Sequence, residues 1–218
     1  MASPVDVPQK SILLGIILTI LSGSFLAMMD AISKHLMGSL DSVQVIWSRY
    51  FFQALVVTVY LLATRSRSIF KSARPGIQLR RSAALFGATF AMYSSLQFLP
   101  LADASAVQFM APVLVTIISG VFLKEAIGVR RYSAVFVAFC GVLLIVQPGG
   151  DFQWPILLPL FTALMMAIFL IQTRELRLHD DDYTTLFYST LVGVIVLILI
   201  VPFFWQHPSL KEFLMMCA

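Results

Sequence analysis

The sequence predicts an all-α fold: a polytopic membrane helix bundle. Three observations carry that expectation. Of 218 residues, 59% are apolar and only 12% charged, with a mean hydropathy of +0.90. A soluble domain carries about 25% charged residues and needs a polar skin that this chain does not supply. The apolar residues also gather into runs near the ~20 residues that cross a bilayer as a helix. Finally, the basic residues fall in alternate loops.

The runs lie near 12–36, 44–64, 82–100, 103–123, 132–147, 154–173 and 184–204, and an eighth begins near Leu210. The first, from Ile12 to Met29, is too long for a signal-peptide core. Only Lys10 flanks it and no A-x-A site follows, so it is expected to be a retained span. After the second run come Arg65, Arg67, Lys71, Arg74, Arg80 and Arg81. Lys124, Arg130 and Arg131 follow the fourth, and Arg174 and Arg177 the sixth. The alternate loops, "LPLAD" and "QPGGDFQW", hold neither Lys nor Arg. The positive-inside rule then places the basic loops and the N-terminus in the cytoplasm. The net charge of +4 and pI near 9.3 accordingly point to lipid head groups and topology, with no nucleic acid expected.

Several chemistries find no support in the sequence. Cys140 and Cys217 form no disulfide framework, and His35, His179 and His207 are scattered, so neither a metal nor a cofactor is expected. There is no G-x-x-x-x-G-K-[ST], G-x-S-x-G or H-E-x-x-H, so the chain is not expected to be an ATP motor or an enzyme.

A faint repeat is present. Sliding the chain by 140 positions lays Lys34-His35-Leu36 on Arg174-Glu175-Leu176, Asp41 on Asp181, and the run 50–62 on 190–202. A unit of five spans is odd, so a second copy enters the membrane from the opposite side, as in secondary transporters. The expected organisation is a five-helix half over 1–148 and an incomplete, inverted half over 149–218, joined near Gly149-Gly150 and Asp151.

Charges inside the runs are the candidate functional residues. Asp30 lies about 27 Å along the first helix, near its outer end, with Lys34 one turn later on the same face. Arg49 sits in the first turns of the second helix and Asp103 opens the fourth, so all four charges are expected on one membrane face. An unpaired charge in the bilayer centre costs ~2.5–3.5 kcal/mol on insertion scales. Lys34 and Arg49 could snorkel to the interface while Asp30 pairs with Lys34. Alternatively, Asp30 and Arg49 face a polar cavity that binds or gates a charged or zwitterionic solute, Arg49 offering planar bidentate donors to a carboxylate.

Helices three and four add detail. Ala83, Gly87, Ala91 and Ser95 recur at four-residue spacing, as do Ala104, Gln108, Pro112, Thr116 and Gly120. Small residues on one face allow close helix approach in lipid. Tyr93, Gln97 and Gln108 need polar partners, either one another or a solute path. Pro112 removes one backbone bond and allows a bend. Trp47, Tyr50 and Trp154 read as interfacial aromatics. "HDDD", His179 to Asp182, reads as a solvated loop, and Glu125 is expected to pair with Arg130 or Arg131 in a structural role.

The stretch "ALFGATFAMYSSLQFLPLADASAVQFMAPVLVTIISGVFLKEAIGVRRYSAVFVAFCGVLLIVQPG" resembles the EamA family of the drug/metabolite transporter superfamily. The resembling features are Leu99-Pro100-Leu101-Ala102, Ala104 and Ser105, Pro112, Leu123, Glu125 and Gly141. "MMDAISKHL" followed by Arg49 is similar to the first two helices of a bacterial subgroup. The resemblance implies ten helices in two inverted five-helix halves. This chain stops as its eighth span starts, so it reads as C-terminally truncated relative to the family. It further implies a secondary transporter, moving a small metabolite or drug-like solute across the bacterial inner membrane by alternating access. Asp30, Lys34, Arg49, Tyr93, Gln97, Gln108 and Pro112 are the expected substrate-binding or gating residues, with Glu125 and Gly141 structural. The rival expectation is a truncated, non-transporting remnant or scaffold subunit. Expected partners are the lipid bilayer, a small-molecule solute and, as an open option, a second copy in a homodimer.

Overall fold

A computed structural model describes residues 9–65, 67–122, 128–146 and 154–217. Its α-helices are α1 (Gln9–Leu36), α2 (Ser42–Thr64), α3 (Pro75–Ser95), α4 (Leu101–Gln108), α5 (Ala111–Phe122), α6 (Val129–Val146), α7 (Leu157–Leu176), α8 (Asp182–Ile200) and α9 (Leu210–Cys217). No strand occurs among the described residues. Each expected apolar run contains helix, including the start of the eighth, but the third is helical over Pro75–Ser95 and the fourth is divided. Among the described residues, five stretches are long and apolar enough to cross a membrane: Leu13–Leu36, Ser42–Thr64, Leu101–Val121, Trp154–Leu176 and Asp182–Phe203. The apolar part of α6 is shorter, and α3 opens on the polar stretch Gln78 to Ser82, so the seven expected spans are not all of one kind.

Exposure agrees with a lipid solvent. Every residue of α1 from Leu13 to Met28 is exposed, although nearly all are apolar. In lipid such a helix needs only its own backbone bonds. At the centre, α3 packs most extensively against α7 and α8. Ala84, Ala88 and Ala91 are buried on it; Thr162 Oγ1 of α7 donates to the Ala88 carbonyl at 3.1 Å, and Gly87 lies against Met165 and Phe161 of α7. The buried small-residue face therefore departs from the expected stripe: Ala83 is exposed, and Ala84 and Ala88 replace it. On the fourth run Ala104 is fully buried but Pro112 is exposed.

The span carrying Pro112 is interrupted just before it. The helix stops at Gln108 and restarts at Ala111, because Pro112 has no N–H to return to the Gln108 carbonyl. Tyr50 departs from the interfacial expectation. It is buried, and its hydroxyl donates to Thr89 Oγ1 at 3.2 Å. The ring packs on Gly193 of α8, where an added Cβ would clash with its Cδ1 and Cε1.

Two turns carry the 140-residue offset. α1 ends in the turn 37–40 before α2, and α7 ends in the turn 177–180 before α8. Leu40 N–H returns to the Leu36 carbonyl at 2.8 Å, and Asp180 N–H to the Leu176 carbonyl at 2.9 Å. The caps that follow have φ/ψ of −65°/140° at Asp41 and −69°/147° at Asp181. The turn 177–180 contacts Ser72, Ala73 and Gln78, beyond the far end of α2, so the two turns lie at opposite ends of the bundle. The 23 residues of α2 put about 34 Å between those ends.

Candidate functional site

Asp30, Arg49 and Tyr93 come together from three helices. Asp41 fixes the second, its side chain accepting the Val43 N–H at 2.8 Å and capping α2. Arg49 then lies two turns into α2. Asp30 lies a similar depth back along α1, roughly 10 Å from the shared turn. Tyr93 belongs to the last turn of α3, whose end is held by Lys34: Nζ donates to the Leu96 carbonyl and, at 3.2 Å, to that of Leu99.

The contacts are dense. Arg49 Nη1 donates to Asp30 Oδ1 at 3.2 Å and also to the Tyr93 hydroxyl, and the guanidinium sits 5.3 Å from the Tyr93 ring centre. Tyr93 donates to the same Asp30 Oδ1 at 3.0 Å and lies 3.3 Å from Ser33 Oγ. The hydrogen bonds of Arg49 among the described residues run through Nη1 and those of Asp30 through Oδ1. Among the described residues Nε and Nη2 of Arg49 and Oδ2 of Asp30 have no protein partner. Arg49 also lines a cavity of about 390 Å³ between α1, α2 and α9, with Ser33, Ser48 and Gln53 as polar walls and Met29, Phe52 and Met216 as apolar ones. The side chains remain 24% (Arg49) and 34% (Asp30) exposed. Opposed charges are thus held together in apolar surroundings, with Arg49 on the cavity wall and planar guanidinium donors suited to a carboxylate.

The other predicted residues distribute differently. Lys34 serves carbonyls instead of Asp30, and lines a second cavity of about 560 Å³ with Gln97, Asp41 and Gln206. Gln97 donates to Ser42 Oγ, not to Gln108. Gln108 is half-buried and makes no side-chain hydrogen bond among the described residues. Asp103 is exposed and stays outside the cluster. A Cβ at Gly141 would meet nothing within 4 Å, so no close approach among the described residues demands glycine there. Glu125 lies outside the described residues, as do Leu123 and Gly149 to Asp151.

Sequence reasoning missed a polar cluster at the basic end. Asp180 was expected in solvent; instead Oδ1 accepts the Ala73 N–H at 2.7 Å, and Oδ2 accepts Ser72 Oγ and Gln78 Nε2, the latter at 2.8 Å. Arg81, read as a loop cation, is 4% exposed. It donates to Thr173 Oγ1 at 2.7 Å and the Thr185 carbonyl at 3.1 Å, 4.5 Å from the Phe169 ring centre. Gln78, Arg81 and Ser82 share a helix face at i, i+3, i+4 spacing, a signal that could have found them.

Polytopic apolar helices of this kind define a multi-span membrane protein. Residues 13–147 match the model of the EamA-like transporter family, and the chain belongs to that family. It is 28% identical over 184 residues to an S-adenosylmethionine uptake transporter of Rickettsia conorii, covering 84% of this chain and 62% of the relative. It is 25% identical to a pseudopaline exporter of Pseudomonas aeruginosa, over 88% of this chain and 66% of that protein. A riboflavin transporter of Vibrio cholerae is 26% identical, over 86% and 64%. The chain thus spans about 62% of the length of the Rickettsia relative. A solved crystal structure shares its fold with a TM-score of 0.61 at 20% identity, over 91% of this chain and 69% of that one.

Proposed function

We propose that the chain is the membrane-embedded part of a secondary transporter that moves a small charged or zwitterionic metabolite by alternating access. The observation that carries this reading is the Asp30–Arg49–Tyr93 cluster, set among apolar helices and open to a cavity of about 390 Å³. Lipid-facing helices do not retain such a cluster without a polar use for it. Family membership and relatives named for S-adenosylmethionine, pseudopaline and riboflavin support the transporter class. The paired turns at an offset of 140 residues support an inverted repeat, with halves over 1–148 and 149–218. The loop charges support a bacterial inner-membrane location with the N-terminus cytoplasmic.

The test is flux. Cells expressing the chain are screened against candidate metabolites, and any accumulated or extruded solute is followed in Arg49→Ala. Loss of flux with unchanged membrane expression is expected. Undiminished flux in that variant would return Arg49 to an interfacial role and sink the assignment.

A further inference from the structure

The two repeat-related turns are in different states. The turn 37–41 lines the open cavity of about 560 Å³, whereas its counterpart at the other end is tied shut. We propose that the Asp180 carboxylate, held by Ser72, the Ala73 N–H and Gln78, is the latch of a gate at the basic end of the bundle, released whenever solute passes through that end. The inference rests on the transporter reading above and adds a gate to it.

Three features point to a gate in place of a permanent joint. Asp180 joins parts of the chain far apart in sequence: it lies between α7 and α8, and its partners lie between α2 and the first turn of α3. Behind it runs a seam of bonds that water can replace. Gln78 reaches Thr185 Oγ1 at 3.2 Å, Arg81 reaches Thr173 and Thr185, and Ser82 Oγ donates to the Ser189 carbonyl at 3.3 Å while accepting the Val192 N–H at 3.2 Å. Deeper in, α3 meets α7 where Gly87 lies against Met165 and Phe161, an apolar contact that water cannot replace. A seam of replaceable bonds above a fixed apolar contact opens at one end only, because each parted donor and acceptor finds water. Two inverted copies with one turn open and one latched are also what a single state of alternating access presents.

The latch is not worked by pH near neutrality. Desolvation pushes the Asp180 carboxyl up, but the bonds from Ser72, Gln78 and the Ala73 N–H, with His179 nearby, outweigh it and hold the group below its ordinary value. Asp180 therefore stays ionised, and an acceptor only, across the physiological range.

The experiment reads thiol labelling by N-ethylmaleimide on the whole chain in membrane vesicles, with Cys140→Ser and Cys217→Ser as background. One reporter is Ser82→Cys, behind the latch; the other is Ser48→Cys, on the wall of the Arg49 cavity. Adding Asp180→Ala is expected to speed labelling at position 82 roughly tenfold, since three bonds to a charged acceptor are lost, and to slow it at position 48. Ser72→Ala removes one donor and should shift both in the same directions by less. Unchanged labelling at 82 in both variants, or faster labelling at both positions, overturns the latch. Solute flux by the parent chain together with unchanged labelling sinks the latch alone. A reciprocal labelling change in a chain that moves no solute sinks the transporter reading alone.

Discussion

Arg49 shows how one residue can be held in an apolar bundle and still be available. Its Nη1 is committed to Asp30 and Tyr93, which offsets the charge, while its other nitrogens have no protein partner among the described residues and the side chain lines a cavity. Tyr93 is the hinge of that arrangement, since its hydroxyl touches Asp30, Arg49 and Ser33. Tyr93→Phe should therefore lower stability by about 1–3 kcal/mol, the usual cost of leaving a shielded polar partner unmet. A lower melting temperature in detergent, with the protein still monodisperse, is the outcome to look for. An unchanged melt would mean that water already serves Asp30.

At the scale of elements, close approach is set by small residues at particular places. Gly193 admits the Tyr50 ring between α2 and α8, and Ala88 admits Thr162 between α3 and α7. Gly193→Ala would drive a methyl carbon into Cδ1 and Cε1 of Tyr50, so α8 must move or the ring must turn. Overpacking of this kind costs ~1–3 kcal/mol. A double-mutant cycle with Tyr50→Ala should recover most of that loss, whereas an additive result would show that the two helices do not meet there. Pro112 acts on its own span, dividing it into α4 and α5 near the level where α6 and α7 pack beside it.

For the whole molecule the two turns and the length of α2 set the path of the chain. The turn 37–41 and the segment 65–74 lie at opposite ends of a helix of 23 residues, about the thickness of a bilayer. In spheroplasts of the cysteine-free chain, Lys71→Cys should react with an impermeant maleimide only after permeabilisation, and Ser39→Cys should react in intact cells. Both positions are exposed, so access is decided by the side of the membrane alone. Labelling of both from the same side would refute the proposed topology, and the gate with it.

The sequence by itself determined the bundle, the order of its helices, and the placing of Asp30, Lys34 and Arg49 near one end of it; that Asp30 pairs with Arg49 and not with Lys34 came from the tertiary structure. Span length and charge placement are fixed by a solvent that penalises every unsatisfied polar group, so composition and spacing suffice to read them. Only the tertiary structure decided which buried face α3 uses, where Lys34 sends its charge, and that Asp180 ties two distant loops together. Such choices depend on which helices become neighbours, and contacts between residues about a hundred positions apart leave no local period in the sequence.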